Sequence, residues 1–198
     1  MEHGQLFGMV YPIVIITSII VFWICWCTAD IVDTGWYFGD LTASHLGMKG
    51  PDDSDLFFNN GCRITGLLMF VGGAIRAYNH HRFDRYTGIV MMPAGILLAL
   101  VGCIPMDVDY DLHCAVASAF GVTAVITIIL GTVSDWKASR GLSASFGCII
   151  LFACAMSCMS MDLALAENLC ILFASVWIFM DSIKVAYVYR KGDAVESF

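Results

Sequence analysis

The apolar residues of this chain come in six long blocks, and that blocking constrains the fold more than any motif does. The blocks run roughly from Phe7 to Ala29, Phe57 to Ala77, Thr87 to Ile104, Leu112 to Val133, Leu142 to Met161 and Asn168 to Val188. A helix rises about 1.5 Å per residue, so about 20 apolar residues cross a hydrocarbon core of ~30 Å. The 198 residues are 59% hydrophobic and 14% charged, whereas soluble domains are about 45–50% apolar and about 25% charged. The expected fold is therefore all-α integral membrane: a single six-transmembrane-helix bundle over residues 1–198, with one long loop, Asp30 to Leu56, between helices 1 and 2.

Charge orients the bundle. Eight of the ten Lys and Arg (Arg76, Arg82, Arg85, Lys137, Arg140, Lys184, Arg190 and Lys191) fall at or beyond helix ends on one side. The positive-inside bias places that side, with both termini and the 2–3 and 4–5 turns, in the cytoplasm. Eleven of the seventeen acids then lie outside. His80 and His81 are expected to be solvated in the inner turn. Met1 to Gln5 lacks Lys and Arg, so helix 1 reads as an uncleaved span of a multi-pass cell-membrane protein, in the cytoplasmic membrane if the source is prokaryotic. No nucleic-acid patch exists. The expected partners are membrane lipids, with a homo-oligomer or another membrane protein as the further option.

Nine cysteines sit mostly inside spans, where free thiols act as small apolar groups. Cys103 and Cys114 flank one outer turn and could pair if their Cα atoms come within about 7 Å. Phe22-Trp23-Ile24-Cys25-Trp26 suits an outer interface belt. The aromatic content of the long loop, Gly35-Trp36-Tyr37-Phe38-Gly39 above all, argues that it lies over the bundle as a lid. Gly88, Gly95 and Gly102 recur every seven residues and form a stripe for close helix approach, with Pro93 between them. Ala117, Gly121 and Ala124 on helix 4, and Ser143 and Gly147 on helix 5, are read as packing surfaces. Asp181 and Lys184, three residues apart, suit a local ion pair.

The remaining polar groups converge on the outer face. Arg63 lies one to two turns inside helix 2 and needs a partner, because an isolated charge in hydrocarbon costs several kcal/mol; an outer carboxylate or snorkelling to headgroups would serve. Asn59 and Asn60 precede it on nearly the same face. Around it stand His45, Asp52, Asp53 and Asp55 from the loop, Asp107, Asp109 and Asp111 from the 3–4 turn, and His113 at the mouth of helix 4. Asp107, Asp109, Asp111 and His113 are the types that hold a divalent cation, though the later Gly and Glu of a calcium loop are missing. The plain alternative is a solvated acidic turn. His113 as a general base or metal ligand needs a carboxylate to fix its tautomer, whereas a structural histidine needs only a backbone carbonyl. His113 and Asp107 are the candidate catalytic residues. No serine-hydrolase elbow, zincin, P-loop or dinucleotide signature occurs.

Ser44-His45-Leu46-Gly47, then Leu56-Phe57-Phe58-Asn59-Asn60-Gly61, Gly102-Cys103-Ile104-Pro105 and His113 resemble a prokaryotic six-span membrane family of unknown function (domain of unknown function 998), related to the Frag, DRAM and Sfk membrane proteins. In that family the loop commonly reads Ser-Asp-Leu-Gly; His45 here replaces the Asp. Asn60 and His113 match its recurrent Asn and His. The resemblance implies a lipid-associated role without fixing a reaction. The function expected is binding or sensing of a lipid headgroup in an outer-facing pocket, with Asn60, Arg63, His45 and His113 as ligand-binding residues. One rival is a metal-assisted lipid hydrolase or transferase; another is a structural or partner-binding scaffold.

Overall fold

A computed structural model describes residues 3–79 and 82–191; His80 and His81 lie outside them. Six helices follow in order: α1 (His3–Val32), α2 (Ser54–Asn79), α3 (Arg82–Cys103), α4 (Tyr110–Lys137), α5 (Gly141–Ser160) and α6 (Leu163–Lys191), with a 3-10 turn at Ala43–Gly47. The helices outrun the apolar blocks because backbone bonding continues until something caps it. Thus α4 starts at Tyr110, where the Asp109 carboxylate accepts from the Leu112 N–H at 3.0 Å. Pro105, with no N–H to offer, follows the end of α3, while Pro93 lies inside an unbroken α3.

Among the described residues five helices are long and apolar enough to cross a membrane. The exception is α2, whose 26 residues would reach about 39 Å but include Asn59, Asn60, Arg63 and Arg76. Those groups are turned largely into protein: α2 lies between α1 and α3 and packs heavily on both. Each helix packs on its successor, and α6 returns to α1. Large apolar side chains such as Ile20, Leu67, Ile96, Val122, Phe152 and Phe179 stand exposed on every helix, the surface that a bilayer covers.

The glycine stripe of α3 packs as its spacing requires. A Cβ on Gly95 would lie 2.5 Å from the Gly66 carbonyl oxygen, and one on Gly88 would lie 2.7 Å from that of Gly73. Gly66 and Gly73 are themselves seven apart on α2, so two stripes meet backbone to backbone. Gly147 is pressed against Thr132. Gly121 corrects the expectation: a Cβ there meets nothing within 4 Å, and Gly131, against the Trp177 ring, is the close approach on α4.

The aromatic segment of α1 also departs from its expected place. Phe22 and Trp26 are buried with Trp36 and Phe58, not set in an interface belt. Trp26 makes edge contacts to Phe22, Trp36 and Phe58 with ring centroids 5.5 to 6.0 Å apart. The loop thus drives Trp36 into the bundle, while Tyr37 and Phe38 remain exposed. All nine cysteines are free, Cys103 and Cys114 included.

Candidate functional site

Polar side chains gather at both ends of the bundle, and the two ends differ in kind. At the loop end the 3-10 turn is held from three helices. Asn59 of α2 donates from Nδ2 to the Gly47 carbonyl at 2.9 Å, closing the turn's C-terminal side. Glu167 of α6 faces its N-terminal side, where the Ser44 N–H donates to Oε1 at 3.4 Å; a carboxylate suits the exposed amides there. From α4, His113 meets the Ser44 hydroxyl, Nε2 to Oγ, at 2.9 Å. Asn168 adds a bond to the Leu41 carbonyl at 3.0 Å. The loop is a tied lid.

His113 is 3% exposed, and its Nδ1 sits 2.6 Å from the Ile104 carbonyl oxygen. A carbonyl can only accept, so the proton is on Nδ1 and the Nε2 lone pair faces Ser44 in the neutral ring. A backbone oxygen, not a carboxylate, fixes the tautomer. Two residues earlier on the same helix end, the Gly102 carbonyl accepts from Arg63 Nε at 2.8 Å. Arg63 therefore pairs neither with an outer acid nor by snorkelling alone. With His113 it satisfies carbonyls that α3 leaves open where it stops before Pro105. Arg63 Nη1 also donates to Asn60 Oδ1 at 3.3 Å, which leaves Nη2 without a partner among the described residues.

The other expected site residues are more dispersed. His45 is half-buried and its Nδ1 meets the Thr42 hydroxyl at 2.7 Å. Asp107 accepts from the Lys49 N–H at 3.2 Å, Asp109 caps α4, and all three aspartates of the turn are exposed. Among the described residues no group of three or more His, Cys, Asp or Glu is placed to hold a metal ion. Asp107, Asp109 and His113 serve separate bonds, and Asp111 is exposed in the first turn of α4. Ser44 and Glu167 are the members that residue-by-residue reading passed over. Glu167 gave one signal, an acid at the start of an apolar block.

The opposite end carries an ion-pair network wider than the local Asp181–Lys184 pair that the sequence suggests. Arg76, fully buried, donates to Asp181 at 2.5 Å, to Asp84 at 2.9 Å and to the Tyr11 hydroxyl at 2.9 Å. Tyr11 in turn donates to Asp181 at 3.1 Å, and its ring lies 5.3 Å from the guanidinium carbon. Lys184 bonds both Asp181 and Asp135, at 2.5 and 2.9 Å. Arg140 reaches Asp135 at 2.9 Å and Asp84 at 3.5 Å. The Asp181–Lys184 pair is present as expected, but it is one edge of a cluster that brings together, among the described residues, three cations and three carboxylates from α2, α3, α4, α6 and the 4–5 turn. Arg76, Arg140 and Lys184 are thus internal ties first, since buried charges persist only when paired. Beside them a crevice of about 440 Å³ opens between α5 and α6, floored by Asp135, Asp181 and Lys184 and walled by Phe146, Trp177 and Met180.

The family model described as protein of unknown function (DUF998) matches residues 16–183, which takes in the loop-end cluster whole and all of the ion network except Tyr11 and Lys184. Comparison with curated proteins and with solved structures gave no match.

Proposed function

The chain belongs to the DUF998 family of proteins of unknown function, and from that premise we propose that it is a multi-pass cell-membrane protein that binds a lipid headgroup at its loop end. In this reading all six helices span, the termini are cytoplasmic, and the tied lid faces outward. Arg63 holds the phosphate, Asn60 steadies the guanidinium, His45 and Asp107 flank the opening, and His113 lies beneath it.

One observation carries the reading. Arg63 is fixed through Nε and Nη1, so its terminal nitrogens are held in place with Nη2 unspent, and a planar guanidinium pairs with phosphate through parallel N–H bonds. Native mass spectrometry of gently extracted protein tests it. A retained phospholipid that Arg63→Ala removes, with Arg63→Lys intermediate and folding unchanged, is the expected result. Wild-type protein free of lipid, or lipid retained equally by Arg63→Ala, refutes it. The scaffold reading is favoured by the number of loop-end groups already bonded within the chain. It predicts that Arg63→Ala and His113→Ala lower thermal stability with no effect on lipid.

A further inference from the structure

We infer that Ser44 is a nucleophile with His113 as its general base, and that the loop end transfers an acyl group from an ester of a membrane lipid. The substrate class rests on the headgroup reading above; the chemistry rests on the geometry of the pair.

A serine hydroxyl is a weak nucleophile until an adjacent base takes its proton, and the base must present a lone pair in a fixed orientation. Both conditions hold, with a backbone carbonyl in the orienting role that a carboxylate was expected to fill. The Ile104 carbonyl keeps the proton of neutral His113 on Nδ1, so the Nε2 lone pair points to Ser44 Oγ, at 2.9 Å, within reach for general-base transfer. Glu167 Oε1 competes for the same hydroxyl proton, but at 3.5 Å, where a hydrogen bond is weak. Because Glu167 faces the same hydroxyl, its carboxylate would stabilise the imidazolium that proton transfer creates. Accessibility is ordered the right way: Ser44 retains 9% of its surface and His113 only 3%, so the nucleophile lies outside its base.

The step balances without a metal or a redox partner. Ser44 Oγ bonds to the ester carbonyl carbon while its proton passes to Nε2. Collapse of the tetrahedral adduct breaks the carbon–oxygen bond to the glycerol, and that oxygen takes the proton from Nε2. A lysolipid leaves and an acyl-Ser44 ester remains. Water or another alcohol then gives its proton to Nε2 and its oxygen to the acyl carbon, and Ser44 Oγ leaves with the proton returned by His113.

An alkyl fluorophosphonate, which phosphonylates an activated serine with loss of fluoride, tests the pair on the full chain in nanodiscs. Peptide mass spectrometry should find the adduct on Ser44 of the wild type. Ser44→Ala should lose it, and His113→Gln should slow it by about 100-fold or more and flatten its pH profile. Phosphatidylglycerol vesicles given to the same protein should yield lysophospholipid. A folded wild-type protein unlabelled at Ser44 overturns the inference, even if lipid still binds in an Arg63-dependent way, in which case the headgroup reading survives alone. Label without lysophospholipid release overturns the lipid-ester substrate. Because the decisive measurement is made on the wild type, a variant that fails to fold does not shield the proposal.

Discussion

Arg76 and Asp181 stand 105 residues apart in the chain and 2.5 Å apart in the fold, joined inside the bundle where Arg76 has no exposed surface. Removing Asp181 alone takes one of two carboxylates from buried Arg76 and one of two from Lys184, an uncompensated loss in a low-dielectric site, whereas removing Arg76 with Asp181 takes out one charge of each sign. Asp181→Ala should therefore cost about 3–5 kcal/mol, and the pair Arg76→Met with Asp181→Leu clearly less. Chemical unfolding in detergent compares them; a double variant as damaged as the single one would contradict the charge-stranding argument.

Close approach of α2 and α3 predicts a contrast between two glycines. A Cβ on Gly95 would be forced to 2.5 Å from the Gly66 carbonyl and 2.6 Å from the Phe70 nitrogen, and backbone cannot yield as a side chain does. Gly95→Ala should destabilise by about 1–3 kcal/mol. Gly121→Ala, in open space, should be neutral or stabilising by up to about 1 kcal/mol. Melting temperatures of the two variants decide the matter.

The lid should loosen when its α2 tie is cut. Asn59→Ala removes the donor to the Gly47 carbonyl, and leaving a buried acceptor unpaired costs about 1–3 kcal/mol. Amide exchange across Ala43–Gly47 should speed by about tenfold or more, read by hydrogen–deuterium exchange. Exchange unchanged there would mean that Glu167 and His113 hold the turn without Asn59.

Trp26 should behave as a core residue and not as a headgroup anchor. It is 3% exposed against Phe22, Trp36 and Phe58, so Trp26→Ala should cost about 3–5 kcal/mol. Its neighbour Ile24, 61% exposed, should tolerate alanine with a change within about 0.5 kcal/mol. Equal sensitivity of the two positions would restore the belt.

The α3 stripe shows why part of this fold was legible. Seven-residue spacing of Gly88, Gly95 and Gly102 places them on one helix face whatever surrounds them, so a close neighbour followed from the sequence. Which helix supplied the partner did not, because Gly66 and Gly73 become significant only once α2 is laid beside α3. Arg63 teaches the same lesson: its need for a partner was evident, but its acceptor is a carbonyl, a group that every residue carries and no sequence pattern marks. At the loop end the sequence marks His113, whereas Ser44 is one letter of a motif and Glu167 an acid beside an apolar block. Nothing local distinguishes a serine in a loop from one held 2.9 Å from an imidazole.

By itself the sequence determined the all-helical, membrane-type character, the approximate position of every helix and the lid over one end, because block length, hydropathy and spacing are local and additive. Only the tertiary structure decided that Arg76, Asp84, Asp135, Arg140, Asp181 and Lys184 join in one ion-pair cluster, and that Ser44, His113 and Glu167 meet. Such meetings depend on how helices distant in sequence are brought side by side, and Coulomb attraction and hydrogen bonding act over a few ångströms of space, not over a count of residues.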